Sequence, residues 1–319
     1  MNRILMALLV GSAAVGQTWT PPRTPDGQPA LEGTWSNATL TLFERPRELG
    51  SKEFFTEPEA AAFEKQRMAQ TNADRPEART PGNVGSYNQF WFDRGTRVVE
   101  SRRTSQIIDP PDGRVPALTP AAQKRFDNAK AEDLRHPSDG PENRLLTERC
   151  LLFGAAGPPM LVEPYNNNYQ IVQGPGYVAI LTEMIHDARI IPLDGRPHLP
   201  SNIPQWIGNS RGRWEGSMLV VDTVNFRFND KSRFGVAYLD GMTDENLRVT
   251  ERFTRTGPET IRYQATITDP TVYTRPWTVE LTLNKRSEPL YEYACHEGNY
   301  GMFGILEGAR AEEKKASAR

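Results

Sequence analysis

The chain has four histidines, and two of them stand directly beside a carboxylate. His186 precedes Asp187 in Glu183-Met184-Ile185-His186-Asp187-Ala188-Arg189, and His296 precedes Glu297 in Tyr293-Ala294-Cys295-His296-Glu297-Gly298-Asn299-Tyr300. Imidazole ordinarily titrates near neutral pH, and a nearby carboxylate tunes it for taking up and returning a proton. The two pairs are therefore candidates for acid–base chemistry. His186 would transfer the proton with Asp187 as its partner, Glu297 would be a second acid–base group, and His296 a polariser. The competing reading is structural: a histidine bonding a turn carbonyl at 186, and a surface turn pinned by a disulfide at 296.

Strand patterning adds a third carboxylate. Along 247–254 one face carries Leu247, Val249, Glu251 and Phe253, and the other Arg248, Thr250, Arg252 and Thr254. Such period-two alternation marks a half-buried antiparallel strand. Glu251 is the lone charge on the apolar face, where a carboxylate must be paired or protonated. It joins the acid–base candidates. Substrate-binding candidates are Asn168 and Tyr169, from a run whose amides would bond a polyol while aromatics stack on it; Arg189 and His198, in the segment that follows His186; Tyr263 and Trp277, on apolar strand faces; and Tyr300, after His296. Asparagine is equally a common turn residue.

His186, His198 and His296 with Asp187 or Glu297 would make a donor set suited to zinc. The spacing of a compact zinc motif is missing, so no cofactor is expected and zinc stays an alternative. Gly-x-Ser-x-Gly, P-loop and dinucleotide fingerprints are absent from the sequence. Lys+Arg 38 against Asp+Glu 40 gives no basic excess that would point to nucleic acid.

The elements that must position these residues differ between the two halves. Residues 17–145 are rich in Pro, Arg and polar residues and read as a wrapping segment with short strands at 33–42 and 98–108 and a loop at 71–86. Two short helices start at Thr56 and Thr119, each an N-cap residue with proline in the first turn. Residues 146–310 read as strands at 169–173, 177–185, 189–193, 218–224, 247–254, 260–268, 276–284 and 290–295, separated by turn residues such as Gly174-Pro175-Gly176 and Asp194-Gly195. Short sequential strands with tight turns predict a mainly β fold, an antiparallel lipocalin-like barrel or a sandwich, with room for one small ligand. Residues 311–319 read as a disordered tail.

Met1-Asn2-Arg3, an apolar run from Ile4 to Val15 and small residues before Gln17 describe a signal peptide over 1–16. The run is shorter than the roughly 20 residues a transmembrane helix takes. The mature chain is expected to be exported, periplasmic or secreted, with no transmembrane segment. In that compartment the two cysteines, Cys150 and Cys295, favour one disulfide over two buried thiols.

Four strings carry a resemblance: Tyr165-Asn166-Asn167-Asn168-Tyr169-Gln170-Ile171-Val172-Gln173, the segment from Met184 through Ile185-His186-Asp187-Ala188-Arg189-Ile190-Ile191-Pro192-Leu193-Asp194-Gly195-Arg196-Pro197-His198, Gly212-Arg213-Trp214-Glu215-Gly216, and Tyr291 to Gly301. They resemble a family of uncharacterised exported bacterial proteins, over about Gly33 to Glu312. The resemblance implies export and brings no assigned activity. The strand-and-turn order of 169–295 is similar to lipocalin-like barrels in architecture, and fold does not fix function. The residues themselves favour an exported enzyme, of hydrolase or lyase type, acting on a small organic or sugar-like molecule. A non-catalytic lipocalin-like binding protein is the alternative, and a structural envelope protein a weaker third.

Overall fold

The computed structural model describes residues 19–75, 87–227 and 246–318. The signal peptide read at 1–16 lies outside the described residues, as does most of the loop read at 71–86.

Ten strands form one antiparallel sheet: β1 (Gly33–Ser36), β2 (Ile107–Asp109), β3 (Asn168–Gly174), β4 (Tyr177–Thr182), β5 (Ala188–Pro192), β6 (Asn209–Glu215), β7 (Met218–Val224), β8 (Arg248–Gly257), β9 (Thr260–Thr268) and β10 (Trp277–Arg286). The order across the sheet is β5-β4-β3-β1-β10-β9-β8-β7-β6, and β2 pairs with β10. The alternation read from the sequence sets the faces. Val249, Phe253, Ile261, Tyr263, Val279 and Leu281 are fully buried on the inner side, while Thr250, Arg252, Gln264 and Thr282 line the other. Registers such as Phe253↔Tyr263↔Leu281 keep the apolar residues of neighbouring strands level.

The sheet curls over its inner face without closing. β5 and β6 are its two edges, and no ladder joins them among the described residues. Their contact is made by side chains: a Cβ placed on Gly212 of β6 would lie 2.6 Å from Leu193 Cδ2 and 2.8 Å from Ile191 Cγ2. The bare glycine lets those side chains ride over it. β5 ends on Pro192, which has no N–H for a ladder and suits an edge strand. The closed barrel expected from the strand count is thus corrected to an open, curled sheet. Its inner side is filled rather than hollow. Trp35, Tyr169, Phe253, Tyr263 and Trp277 are buried there, with Phe253 and Tyr263 ring centroids 5.0 Å apart and Phe43 edge-on to Trp277 at 5.9 Å.

Among the described residues, three α-helices flank the sheet. α1 (Glu57–Thr71) begins at Thr56 with a capping box, in which Glu59 accepts from the Thr56 amide at 2.8 Å. α2 (Pro120–Arg135) is capped by Thr119, whose hydroxyl accepts from Ala122 N, and packs Ala122 and Phe126 on the main core. α3 (Tyr300–Ser317) starts at the N-cap Asn299 and runs through the stretch read as a tail. It buries no residue, and the pairs Arg310–Glu313 and Lys315–Glu312 lie along its surface. β6 is a strand beyond those expected from the sequence, because Asn-Ser-Arg-Gly-Arg-Trp-Glu lacks a clear apolar face. Conversely, 290–295 forms no strand, and 98–108 yields only β2.

The disulfide is present between Cys150 and Cys295, with Cα atoms 5.8 Å apart.

Candidate functional site

The segments that carry the two histidine–carboxylate pairs touch at one end of the sheet, where β4 stops and β3 begins, while the His296–Glu297 pair itself stays exposed outside the contact. After Thr182 the chain makes a 3-10 turn, Met184–His186, in which Ile185 (φ 52°) and His186 (φ 48°) both take left-handed backbone angles. This is rare for any L-residue and more so for a β-branched one, at a cost of about 1–3 kcal/mol each. The turn holds Met184 and Ile185 in the interior and turns His186 outward. His186 Nδ1 lies 3.2 Å from the carbonyl oxygen of Tyr293, which joins the first cluster to the second.

Glu183 makes the same connection from below. It is 4% exposed. Its Oε1 accepts from Asn166 Nδ2 (2.7 Å) and Asn168 Nδ2 (3.1 Å), and its Oε2 accepts from the amide of Tyr291 (3.1 Å). Asn167 is fully buried: its Oδ1 accepts from Glu163 N, and its Nδ2 donates to the carbonyls of Glu163 and Asp93, all at 2.7 Å. The asparagine run therefore staples the loop that enters β3.

That loop presents Glu163. Its backbone is fixed by Asn167, yet its Oε1 is buried without a partner among the described residues. Burial pushes its pKa up to about 7, although the amides of Gly154 and Ala155 pull the other way. Asp187 and Asp93 each hold a further buried oxygen with no partner among the described residues, and burial raises both carboxyls above the ordinary range. His186 partly offsets this at Asp187; at Asp93, Arg286 pulls down and Glu183 pushes up. Beside them stands an aromatic wall. Tyr165 stacks on Tyr293 (6.4 Å, 25° between planes) and meets Tyr87 and Phe92 edge-on, and Phe153 meets Tyr293 at 6.0 Å. Burial and the adjacent Tyr165 push the Tyr293 phenol above its usual range. The arrangement can exchange a proton near neutral pH beside a surface that stacks flat or apolar ring faces.

The other candidates lie apart from this rim. Glu251 is in the core, 0% exposed, in a two-pronged pair with Arg189 (Nη1 to Oε2 2.5 Å, Nη2 to Oε1 3.0 Å), and it accepts from Tyr263 Oη at 2.9 Å. Tyr263 Oη in turn accepts from Met160 N at 2.8 Å. Burial works against the Arg189 charge, and Glu251 more than offsets it. Tyr169 bonds Asn37, and Trp277 packs between Phe43 and Tyr273. Arg189, Glu251, Tyr263, Tyr169 and Trp277 are thus assembled in the interior, while Asn168 reaches the rim through Glu183. His198 sits elsewhere, between Asn209 Oδ1 (3.1 Å) and Asp222 Oδ2 (3.2 Å), with Arg248 on the same carboxylate. His296, Glu297 and Tyr300 are exposed on the segment carrying the disulfide. Among the described residues no group of three or more His, Cys, Asp or Glu is arranged to hold a metal ion, and no helix is long and apolar enough to cross a membrane.

Glu163, Asp93 and Tyr293 were not among the sequence candidates. Glu163 had a legible signal: it is the only charge between Leu151 and Pro164, in an otherwise apolar and glycine–proline stretch.

No protein-family model, no curated protein and no solved structure matches this chain.

Proposed function

We propose that the protein is an exported enzyme that acts on a small hydroxylated or sugar-like molecule by acid–base chemistry at this rim. Glu163 is the proton-transfer group, His186 and Asp187 are the second titratable pair, and Tyr165 and Tyr293 hold the substrate ring. One observation carries the reading: Glu163 keeps an unpartnered buried oxygen, and its pKa, pushed up to about 7, lies where an acid–base catalyst works best. Adjacent left-handed residues at 185 and 186 support it, since such backbone persists where a site requires it. The disulfide favours an oxidising compartment and so supports export. A hydrolase or lyase fits a site made of proton donors and acceptors.

The test is a turnover screen of small glycosides, lactones and hydroxy acids with the mature protein, repeated with Glu163→Gln and His186→Ala. A turned-over compound whose rate falls by about 10²–10⁴ in Glu163→Gln is the expected result. Turnover unchanged in both variants sinks the assignment. A compound that binds at the rim and emerges unaltered would favour the second reading, a binding protein, which the aromatic wall also suits.

A further inference from the structure

At the opposite end of β3 and β4, roughly 20 Å from the rim by strand length, lies a cleft of about 260 Å³. We infer that it is a second, non-catalytic site that holds one residue of a neutral sugar. The inference does not rest on the chemistry proposed for the rim.

The cleft has three built walls. Tyr177 opens β4 and is 40% exposed, and its ring lies across Gly174: a Cβ there would stand 2.5 Å from Cε1 and Cζ. Trp214 of β6 and Leu193 face it from the two sheet edges, and Leu193 reaches in over Gly212. The third wall is a strap, residues 24–28, closed by backbone bonds from Thr24 N to Gln28 O and from Gly27 N to Thr24 O. Gln173 ties the chain just beyond it to β3: Oε1 accepts from Leu31 N at 2.6 Å, and Nε2 donates to Pro29 O at 3.1 Å. Two glycines thus let two walls close in, and one glutamine side chain fixes the third.

The polar groups define the ligand. Asp26 and Gln28 line the cleft, and neither side chain has a bonding partner among the described residues. Arg213 is paired with Glu215, Nε to Oε1 at 2.8 Å, so those two charges balance and Asp26 is left as the net charge of the lining. A carboxylate and an amide set beside aromatic faces match the hydroxyls and C–H faces of a pyranose. A lone carboxylate disfavours anionic ligands, and the volume is below that of drug-sized pockets, about 300–1,000 Å³, which suits a single ring.

The experiment is isothermal titration calorimetry of the mature protein with D-glucose, D-galactose, D-mannose, N-acetylglucosamine and D-glucuronate. The variants are Tyr177→Ala, Asp26→Asn, Gly174→Ala and Glu163→Gln, with circular dichroism on each. The expected result is binding of at least one neutral sugar at around millimolar Kd, as befits few contacts. It should weaken at least tenfold in Tyr177→Ala and Gly174→Ala, and several-fold in Asp26→Asn. The binding that depends on Tyr177 should persist in Glu163→Gln, with glucuronate weaker than glucose. Gly174→Ala only pushes the ring aside and keeps the fold, so it guards against a misfolded Tyr177→Ala. No neutral sugar bound, binding unaffected by the Tyr177 and Gly174 variants, or binding lost in Glu163→Gln would each overturn the inference.

Discussion

Glu163 carries a pH dependence whose sign follows from its position. Its folded-state pKa is about 7 against 4.5 for an unperturbed glutamate, because burial disfavours the charged form. The native state therefore holds more protons than the unfolded chain between those values. The stability this group contributes is fully present below pH 4.5 and is lost as pH rises through 7, on the order of 2–3 kcal/mol. Glu163→Gln should flatten that slope in denaturant titrations run from pH 4 to 8; an unchanged slope would contradict the burial argument. Asp187 and Asp93 are shifted in the same direction and steepen the same limb. The His186 side chain is exposed, and its hydrogen bond is to the Tyr293 carbonyl. His186→Ala should change stability by no more than about 0.5 kcal/mol while lowering turnover of any identified substrate. A large loss of stability would make it a structural histidine.

At the scale of elements, the buried pair Arg189–Glu251 joins β5 to β8 across the inner face. Removing one partner strands a charge in the core, so Arg189→Ala should cost about 3–5 kcal/mol. The double replacement Arg189→Met with Glu251→Leu should recover most of that loss, since a well-packed apolar pair of similar volume is often no less stable than a buried ion pair. Urea unfolding of the three proteins decides it, and a double variant as unstable as the single would show that the pair is needed for curvature. The sheet edges give a second test. Gly212→Val would drive its side chain into Leu193 and Ile191, with a cost of about 1–3 kcal/mol in the same assay.

For the whole molecule, the Cys150–Cys295 bridge spans 145 residues, and a loop of that length corresponds to about 5 kcal/mol in the chain-entropy view. The part of the chain that depends on it is local. Residues 287–318 add no strand, and α3 buries nothing. They are held by the bridge, by the Tyr291 amide on Glu183, by Asn299 on the Glu148 carbonyl, by His186 on the Tyr293 carbonyl and by Arg310 on the carbonyls of Ser138 and Asp139. Reduction should expose this segment to protease well before the sheet unfolds. Limited proteolysis with and without reductant checks this, and cleavage spread evenly over the sheet would refute it. Because the segment carries Tyr293, any turnover at the rim should fall together with its protection.

By itself the sequence determined the period-two strands, the two capped helices, the pairing of the cysteines and the anomaly of Glu251, because each rests on local pattern or simple counting. The tertiary structure decided what those features mean. Glu251 stands out in sequence whether it is catalytic or paired; only the curl of the sheet, which brings Arg189 over β8, makes it a core ion pair. Barrel and open sheet share one strand pattern, and what separates them is the meeting of β5 with β6, decided by Gly212 and the edge at Pro192. The histidine–carboxylate motifs were visible one by one, but the contact of His186 and Glu183 with Tyr293 and Tyr291 joins residues more than a hundred positions apart, and His296–Glu297 takes no part in it. Glu163 was legible as the lone charge between Leu151 and Pro164, but only the folded loop shows one of its oxygens buried without a partner among the described residues.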